Sequence, residues 1–491
     1  MDGLTCSKFM LPLLMGIYTV GELGHFLIGV VSRDVAQDIG YGDKGCFAIR
    51  DVTNSNSKLC RDIENEEGCH LVRVDNGNGS EIQACNWDHN GLGTEYQILA
   101  GPSFMACFTI AGVMWGVIAD RFNRVHLLGV ATVAFSLAIS GTAFATQYWH
   151  LVLFRMALAA GEAACSPLAA GIIGDVFPQN KRALAMGFFN WGIYIGYGTS
   201  FAVGTYITDT TIFDEKWRTS FLISGIPGVI IGILFMLSVT EPRKNKRSFS
   251  PSLSEETNSI DKQSATISTI SSKNGEIDDK KAYATNPKKL KDENVIIALL
   301  KRPEIVLLVV AACIRHSAGF CWGYNSALYF QTYYPDYDAG WWLTGISIGG
   351  GAIGSVIGGY LSDRLVNRLG ISARALVLAG SQLISTPFTI GLLYLEPPYA
   401  FLSLLIGYIT SEMWFGVMYA ILIELVPANY RSTAVGLALF VINNVGGNLP
   451  IVVDPLSSVT DYRTAIAILY PGALLTSSTL FFICWIMLRK K

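Results

Sequence analysis

Apolar residues in this chain come in long blocks separated by polar stretches. Twelve blocks stand out: 9–31, 95–119, 125–146, 149–173, 183–207, 219–239, 304–334, 339–361, 373–395, 399–425, 432–453 and 464–488. A helix that crosses a bilayer needs about 20 mostly apolar residues, and each block is of that order. At membrane depth no water can satisfy the backbone, so each block must pair its own N–H and C=O groups. The pattern therefore predicts an all-α membrane protein of twelve transmembrane helices. Met1–Lys8 is short and nearly uncharged, and the block after it is long enough to span, so the first block is expected to be retained rather than cleaved as a signal peptide.

Composition agrees. Of 491 residues, 51% are hydrophobic and only 15% charged, with a mean hydropathy of +0.39. A soluble domain carries about 25% charged residues, so this chain is short of water-facing surface. The net charge of −2 says little, but its distribution says more. Arg121, Arg124, Lys181, Arg182, Arg364, Arg368, Arg431, the tail Arg489-Lys490-Lys491 and the 240–303 segment fall on one side of a twelve-span arrangement. Asp336, Asp338, Glu396 and Asp454 fall on the other. By the positive-inside rule the first side is expected to be cytoplasmic, with both termini.

Cysteine usage fits that orientation. Cys46, Cys60, Cys69 and Cys85 lie in the polar segment 32–94, on the non-cytoplasmic side, where disulfides form. Four cysteines allow three pairings, and sequence does not choose among them. The same segment holds the glycosylation sequon Asn78-Gly79-Ser80. The six other cysteines lie in or beside spans, where packing is the expected role.

The blocks form two six-span halves, 1–240 and 304–491, around 241–303, which is rich in Ser, Asn, Lys and Asp and reads as a largely disordered cytoplasmic linker. The halves repeat each other. GVIADRFNR after span two and GYLSDRLVNR after span eight share G-x-x-x-D-R followed by Asn-Arg. Asp175, Pro178, Arg182 and Gly187 have the spacing of Glu424, Pro427, Arg431 and Gly436. Both matches lie at nearly one offset, as expected of six-span repeats related by an axis along the membrane normal.

GVIADRFNR and GGYLSDRLVNR resemble the paired signature loops of the major facilitator superfamily. RMALAAGEA followed by CSPLAAGIIGDVF, VPANYRSTAVG and VINNVGGNLP resemble the spinster-like branch. The chain departs from that pattern in its long, cysteine-bearing first loop and in span one, YTVGELGHFLIGV. The resemblance implies two six-helix halves around a central cavity that opens alternately to each side. It also implies that Asp120, Arg121 and Arg124, and in the second half Asp363, Arg364 and Arg368, form a cytoplasmic gate. Charge-assisted bonds from these residues would hold the halves together and break for inward opening.

Ionisable residues at membrane depth are the other candidates: Glu22, His25, Arg155, Glu162, Arg315, His316 and Glu412. Each costs at least a few kcal/mol facing lipid, so a cavity and partners are expected. Glu22 and His25, three apart, share a helix face. Arg155 and Glu162, seven apart, lie nearly two turns or roughly 10 Å from each other and are not expected to bond directly. Arg315 and His316 point to different faces. Glu412 falls within a residue of the repeat position of Glu162, so the halves are expected to present pseudo-symmetric glutamates. A desolvated carboxylate can carry a proton near neutral pH, which makes Glu162 the expected proton site, with His25 a second candidate. Arg155 stays charged and would regulate Glu162 or anchor an anion. The small residues of SIGGGAIGSVIGG suit close packing, Pro167 and Pro450 can kink their helices, and Trp341-Trp342 suit the membrane interface.

No Walker A motif, HExxH or CxxC occurs, so no enzyme, ATP-driven pump, cofactor or metal is expected, and no nucleic-acid partner. The expected function is alternating-access, proton-coupled transport of a small amphiphilic or anionic solute. By the resemblance, a lysophospholipid or sphingolipid is favoured, in a lysosomal, endosomal or plasma membrane. The alternatives are a facilitative carrier for a polar organic solute, and a non-transporting receptor or scaffold that binds through the 32–94 loop.

Overall fold

The structure is a computed structural model that describes residues 3–49, 60, 63, 65–75, 81–177, 179–207, 216–241, 300–426 and 431–490. The linker expected at 241–303 falls almost wholly outside these residues, as does Asn78. Among the described residues, eleven helices are long and apolar enough to cross a membrane. In the first half these are span 1 (Gly3–Val30), span 2 (Thr94–Ala119), span 3 (Arg124–Thr142), span 4 (Tyr148–Val176) and span 6 (Lys216–Ser238). The second half has span 7 (Pro303–Tyr333), span 8 (Gly340–Leu369), span 9 (Ser372–Tyr394), span 10 (Tyr399–Leu425), span 11 (Ala434–Val459) and span 12 (Tyr462–Arg489). Span 5, Gln179–Tyr206, is a 28-residue helix diluted by Asn180, Lys181, Arg182 and Asn190, and it crosses beside span 1. Its glycines are the reason it can approach so closely. A Cβ at Gly196 would sit 2.4 Å from the Thr19 carbonyl, and one at Gly192 2.8 Å from that of Met15.

Several spans are not continuous helices. Span 4 turns at Ala163–Ala164 between Tyr148–Glu162 and Cys165–Val176. Pro167 explains the place, because it cannot donate to the carbonyl four residues back, that of Ala163. Span 2 breaks at Gly101, ahead of Pro102. Span 10 breaks between Ser411 and Phe415. Span 8 contains one π-turn, Ile346–Gly350, within its glycine-rich stretch, and span 11 tightens to a 3₁₀ turn at Leu449–Val452, around Pro450. Asp461 caps span 12, accepting from Thr464 N at 3.0 Å and Thr464 Oγ1 at 2.5 Å, which holds its carboxyl below the usual range.

The first loop forms a small lobe. Strand β1 (Lys44–Ala48) pairs antiparallel with β4 (Cys85–His89), and β2 (Arg73–Asp75) with β3 (Glu81–Gln83). The disulfides are Cys46–Cys69 and Cys60–Cys85, packed around buried Ala84. The lobe is tied to the first half through the helix Ser32–Ile39. Ser32 Oγ donates to the Gly91 carbonyl at 2.8 Å, and Asp38 accepts from Arg218 Nη2 at 2.6 Å and Trp217 Nε1 at 3.1 Å.

Contact between the halves is concentrated on the loop face, the end that carries this lobe. Tyr96 OH donates to the Tyr324 carbonyl, Thr94 Oγ1 to Asp454, and Gln97 Nε2 to Asn325 Oδ1 at 3.0 Å. Tyr206 OH donates to both oxygens of Asp338, at 2.7 and 2.8 Å, and its ring stacks on Trp341. One apolar cluster mixes Val30, Tyr197 and Phe201 of the first half with Trp322, Phe330 and Phe401 of the second. At the other end, the terminal face, the second half has a cluster of its own around Leu308, Trp414, Leu422 and Phe481.

Replacing Cys60 and Cys85 together by Ser should destabilise the lobe by about 3 kcal/mol, because that bond closes a loop with a sequence separation of 25. Hydrogen exchange should show faster opening of the β1 and β4 amides with the spans unchanged. Unchanged exchange in β1 and β4 would mean that packing alone holds the lobe.

Candidate functional site

The break in span 4 sets the centre of the first half. Glu162 is the last residue before the Ala163–Ala164 turn, and it is 1% exposed. Its side chain lies against span 1 where Gly21 leaves room, since a Cβ there would fall 2.9 Å from the Glu162 carboxyl carbon. Glu22 and His25 lie on the same side of span 1, both buried, with His25 Nδ1 3.7 Å from Glu22 Oε2. Ligand atoms of Glu22, His25 and Glu162 all lie within 4.8 Å of one another. His25 is sandwiched between the rings of Phe26 and Phe104, at 4.4 and 3.7 Å between centroids. Its Nε2 lies 3.3 Å from Tyr324 OH, across the boundary between the halves. One oxygen of Glu162, Oε2, is buried without a hydrogen-bond partner among the described residues.

Arg155 does not pair with Glu162. Its guanidinium donates to the carbonyls of Leu99 at 3.2 Å, Ala100 at 3.2 Å and Gly24 at 3.3 Å, and lies over the Phe104 ring at 4.8 Å. The break in span 2 accounts for this. Phe104 N turns to the Gly101 carbonyl, which releases that of Ala100, while Ser103 Oγ also donates to that of Leu99 at 2.8 Å. A released carbonyl at membrane depth needs a donor, and Arg155 supplies it while joining spans 1, 2 and 4.

The second half builds a different centre at the matching place. Glu412 stands at the break in span 10, and Arg315 Nη2 reaches it at 2.8 Å. The same nitrogen donates to the Ser411 carbonyl at 2.7 Å, as does Gln382 Nε2 at 3.2 Å, and the guanidinium covers Trp414 at 4.5 Å. Tyr194 of span 5 donates to Glu412 Oε2 at 3.3 Å, so this pair also touches the other half. His316 points elsewhere, edge-on to Phe320 with centroids 4.7 Å apart and with its Cβ side against Gly446.

At the terminal face the described ion pairs stay within one half. Arg124 donates to Glu241 and to Asp175, at 2.7 and 2.6 Å, and ties spans 3, 4 and 6. Arg374 of span 9 donates to Glu424 at 2.7 Å and to Asp363 at 2.9 Å. Among the described residues, Arg364 bonds Tyr360 of its own helix at 3.1 Å, and Arg368 is exposed. The side chains of Asp120 and Arg121 lie outside the described residues. Arg374 and Glu241 were not among the residues singled out from sequence. The Asn-Arg match pointed to Arg368 as the partner of Arg124, whereas the repeat relating Asp175 to Glu424 reaches within one residue of Arg374.

The model of the Major Facilitator Superfamily matches residues 83–450, and the chain belongs to that superfamily. Its relatives are of the spinster type. It is 25% identical over 376 residues to "Probable sphingolipid transporter spinster homolog 1" of Arabidopsis thaliana, covering 74% of this chain and 69% of that one. It is 31% identical over 143 residues to the "Sphingosine-1-phosphate transporter SPNS2" of Danio rerio, covering 29% of this chain and 28% of that protein. Among solved structures, a bacterial homolog of the human lysosomal transporter spinster, inward-facing and unoccupied, superposes with a TM-score of 0.66 at 17% identity, covering 99% and 97% of the two chains. The xylose transporter XylE of E. coli, inward open, gives 0.61 at 15% identity, covering 97% and 95%. At these identities the structures speak for the fold.

Arg124→Met removes a cation that is 3% exposed from Glu241, which is 4% exposed, and breaking such a pair costs about 3–5 kcal/mol. Arg374→Met should cost less, because Asp363 is 73% and Glu424 31% exposed. Thermal unfolding in detergent should show the larger drop for Arg124→Met, and equal drops would remove burial as the cause.

Proposed function

We propose that this chain is a secondary carrier in which Glu22 and Glu162, with His25, take up the coupling proton. The supporting observation is the convergence of two buried carboxylates on one imidazole, with one Glu162 oxygen left without a partner. Two like charges in a buried pocket repel, so such a pair is suited to gaining and losing one proton as its exposure changes through the cycle. Arg155 is occupied by backbone carbonyls. That favours a role in setting the local field and joining the helices, rather than anchoring a solute anion. An anionic headgroup in the second half would have to compete with Glu412 for Arg315.

In this reading the terminal face is cytoplasmic, as the arginines and lysines of its short loops suggest. The structure then corresponds to a state closed on the loop side, with the seal made by Tyr96, Gln97, Tyr206 and their partners. In that state the described gate residues make no ion pair between the halves, and Arg124 and Arg374 brace each half internally. The solute is an amphiphilic lipid with an anionic or zwitterionic headgroup, of the lysophospholipid or sphingoid phosphate class. The kinship with spinster-type transporters and the cluster of aromatic rings around His25, Phe26, Phe104 and Phe320 support that class.

Proteoliposomes with an imposed pH gradient test this with radiolabelled sphingosine-1-phosphate, lysophosphatidylcholine and xylose. Gradient-driven uptake of one of the lipids is expected, and Glu162→Gln should lower it at least tenfold without changing thermal stability. Uptake unaffected by Glu162→Gln would remove the proton role, and uptake of xylose alone would remove the lipid.

A further inference from the structure

The same three side chains have the makings of a metal site. Glu22-Leu23-Gly24-His25 is a Glu-x-x-His sequence on one helical turn, the spacing by which helical bundles present a carboxylate and an imidazole inward to a metal. Glu162 adds a second carboxylate from span 4, and one ligand atom from each of the three lies within 4.8 Å of the others. All three residues are buried, and Glu162 Oε2 has no hydrogen-bond partner among the protein groups around it. We propose that Glu22, His25 and Glu162 bind one divalent transition-metal ion, of the manganese, cobalt or zinc type.

The chemistry of the donors selects the class. One imidazole nitrogen and two carboxylates suit these ions better than calcium or magnesium, which prefer all-oxygen shells. Two ionised carboxylates balance the charge of a divalent ion, and the nearby Arg155 is held by three backbone carbonyls. Metal–ligand bonds of about 2.0–2.2 Å require the donors to draw together only modestly. The surroundings of His25 also fit. Nδ1 faces Glu22, while Nε2 lies 3.3 Å from Tyr324 OH, the outer-shell hydrogen bond that fixes the tautomer of a metal-bound histidine. Tyr324 belongs to the second half, so a metal on Nδ1 would favour the His25–Tyr324 bond across the halves. The bound ion would thus hold the carrier closed on the loop side and inhibit transport. The site uses the same side chains as the proposed coupling pair but does not depend on protons driving transport.

The test uses the full-length protein in nanodiscs, with any affinity tag removed. Equilibrium dialysis against zinc and titration with manganese followed by electron paramagnetic resonance should show one ion per chain. His25→Gln and Glu162→Gln should each weaken binding at least tenfold, and His70→Gln, in the exposed lobe, should not change it. Because a variant can misfold, the wild-type manganese complex is also examined by pulsed resonance for a directly bound nitrogen, which is expected. No stoichiometric binding, an all-oxygen manganese shell, or binding that follows His70 instead of His25 would overturn the site. Binding without proton-driven uptake would support the site and remove the coupling reading, whereas proton-driven uptake without binding would overturn the site alone.

Discussion

A backbone carbonyl that loses its helical partner inside a membrane finds no water, and much of this structure is arranged around that constraint. Three of the spans that carry or contact the central charges are broken: span 2 at Gly101, span 4 at Ala163–Ala164 and span 10 after Ser411. Near each break a side chain donates to the backbone. Arg155 bonds the carbonyls of Leu99 and Ala100, Trp115 Nε1 that of Ala160 at 2.7 Å, and Arg315 with Gln382 that of Ser411. Two of these donors are buried arginines. Their presence is then a consequence of the breaks, and the breaks in turn place Glu162 and Glu412 on the inner side of their helices.

The pseudo-symmetry of the halves is partial both at the terminal face and at the centre. Arg124 with Asp175 and Arg374 with Glu424 make matching braces on spans 3 and 4 and spans 9 and 10, but the second carboxylate is Glu241, just past span 6, in one half and Asp363 of span 8 in the other. At the centre, Glu412 is neutralised by Arg315, while Glu162 faces a second carboxylate and an imidazole. Equal positions in the repeat therefore hold a settled ion pair on one side and an unsettled acid cluster on the other. The difference arises because span 1 brings Glu22 and His25 to Glu162, whereas span 7 brings Arg315 to Glu412.

Much of this was legible in the sequence because the membrane imposes it. Length and polarity alone located the spans, and the costs of charge at depth selected the central residues. The disulfide cysteines were visible, but their pairing depends on how the helix Glu66–Leu71, which carries Cys69, and Cys60 fold against β1 and β4, which no sequence period encodes. The separation of Arg155 from Glu162 followed from helix geometry, but its carbonyl partners did not, because they depend on a break in another span. Arg374 escaped because the loop motifs align on their Asn-Arg pairs, while the brace follows the register of spans 3 and 9. Its signal was available in the repeat that relates Asp175 to Glu424.

The placement of the acid cluster bears on how the halves communicate. Glu22, His25 and Glu162 all belong to the first half, so a change in their charge does not by itself make or break a bond between halves. His25 is the exception, since its second nitrogen meets Tyr324 and its ring packs against Phe104 and, 6.0 Å away, Phe320 of span 7. Tyr324 in turn accepts from Tyr96 through its carbonyl. In the proposed mechanism, charge on the carboxylates reaches the loop-side seal through the orientation and tautomer of this one imidazole. That makes His25, rather than either glutamate, the residue through which the occupancy of the centre can bias which face of the carrier is closed.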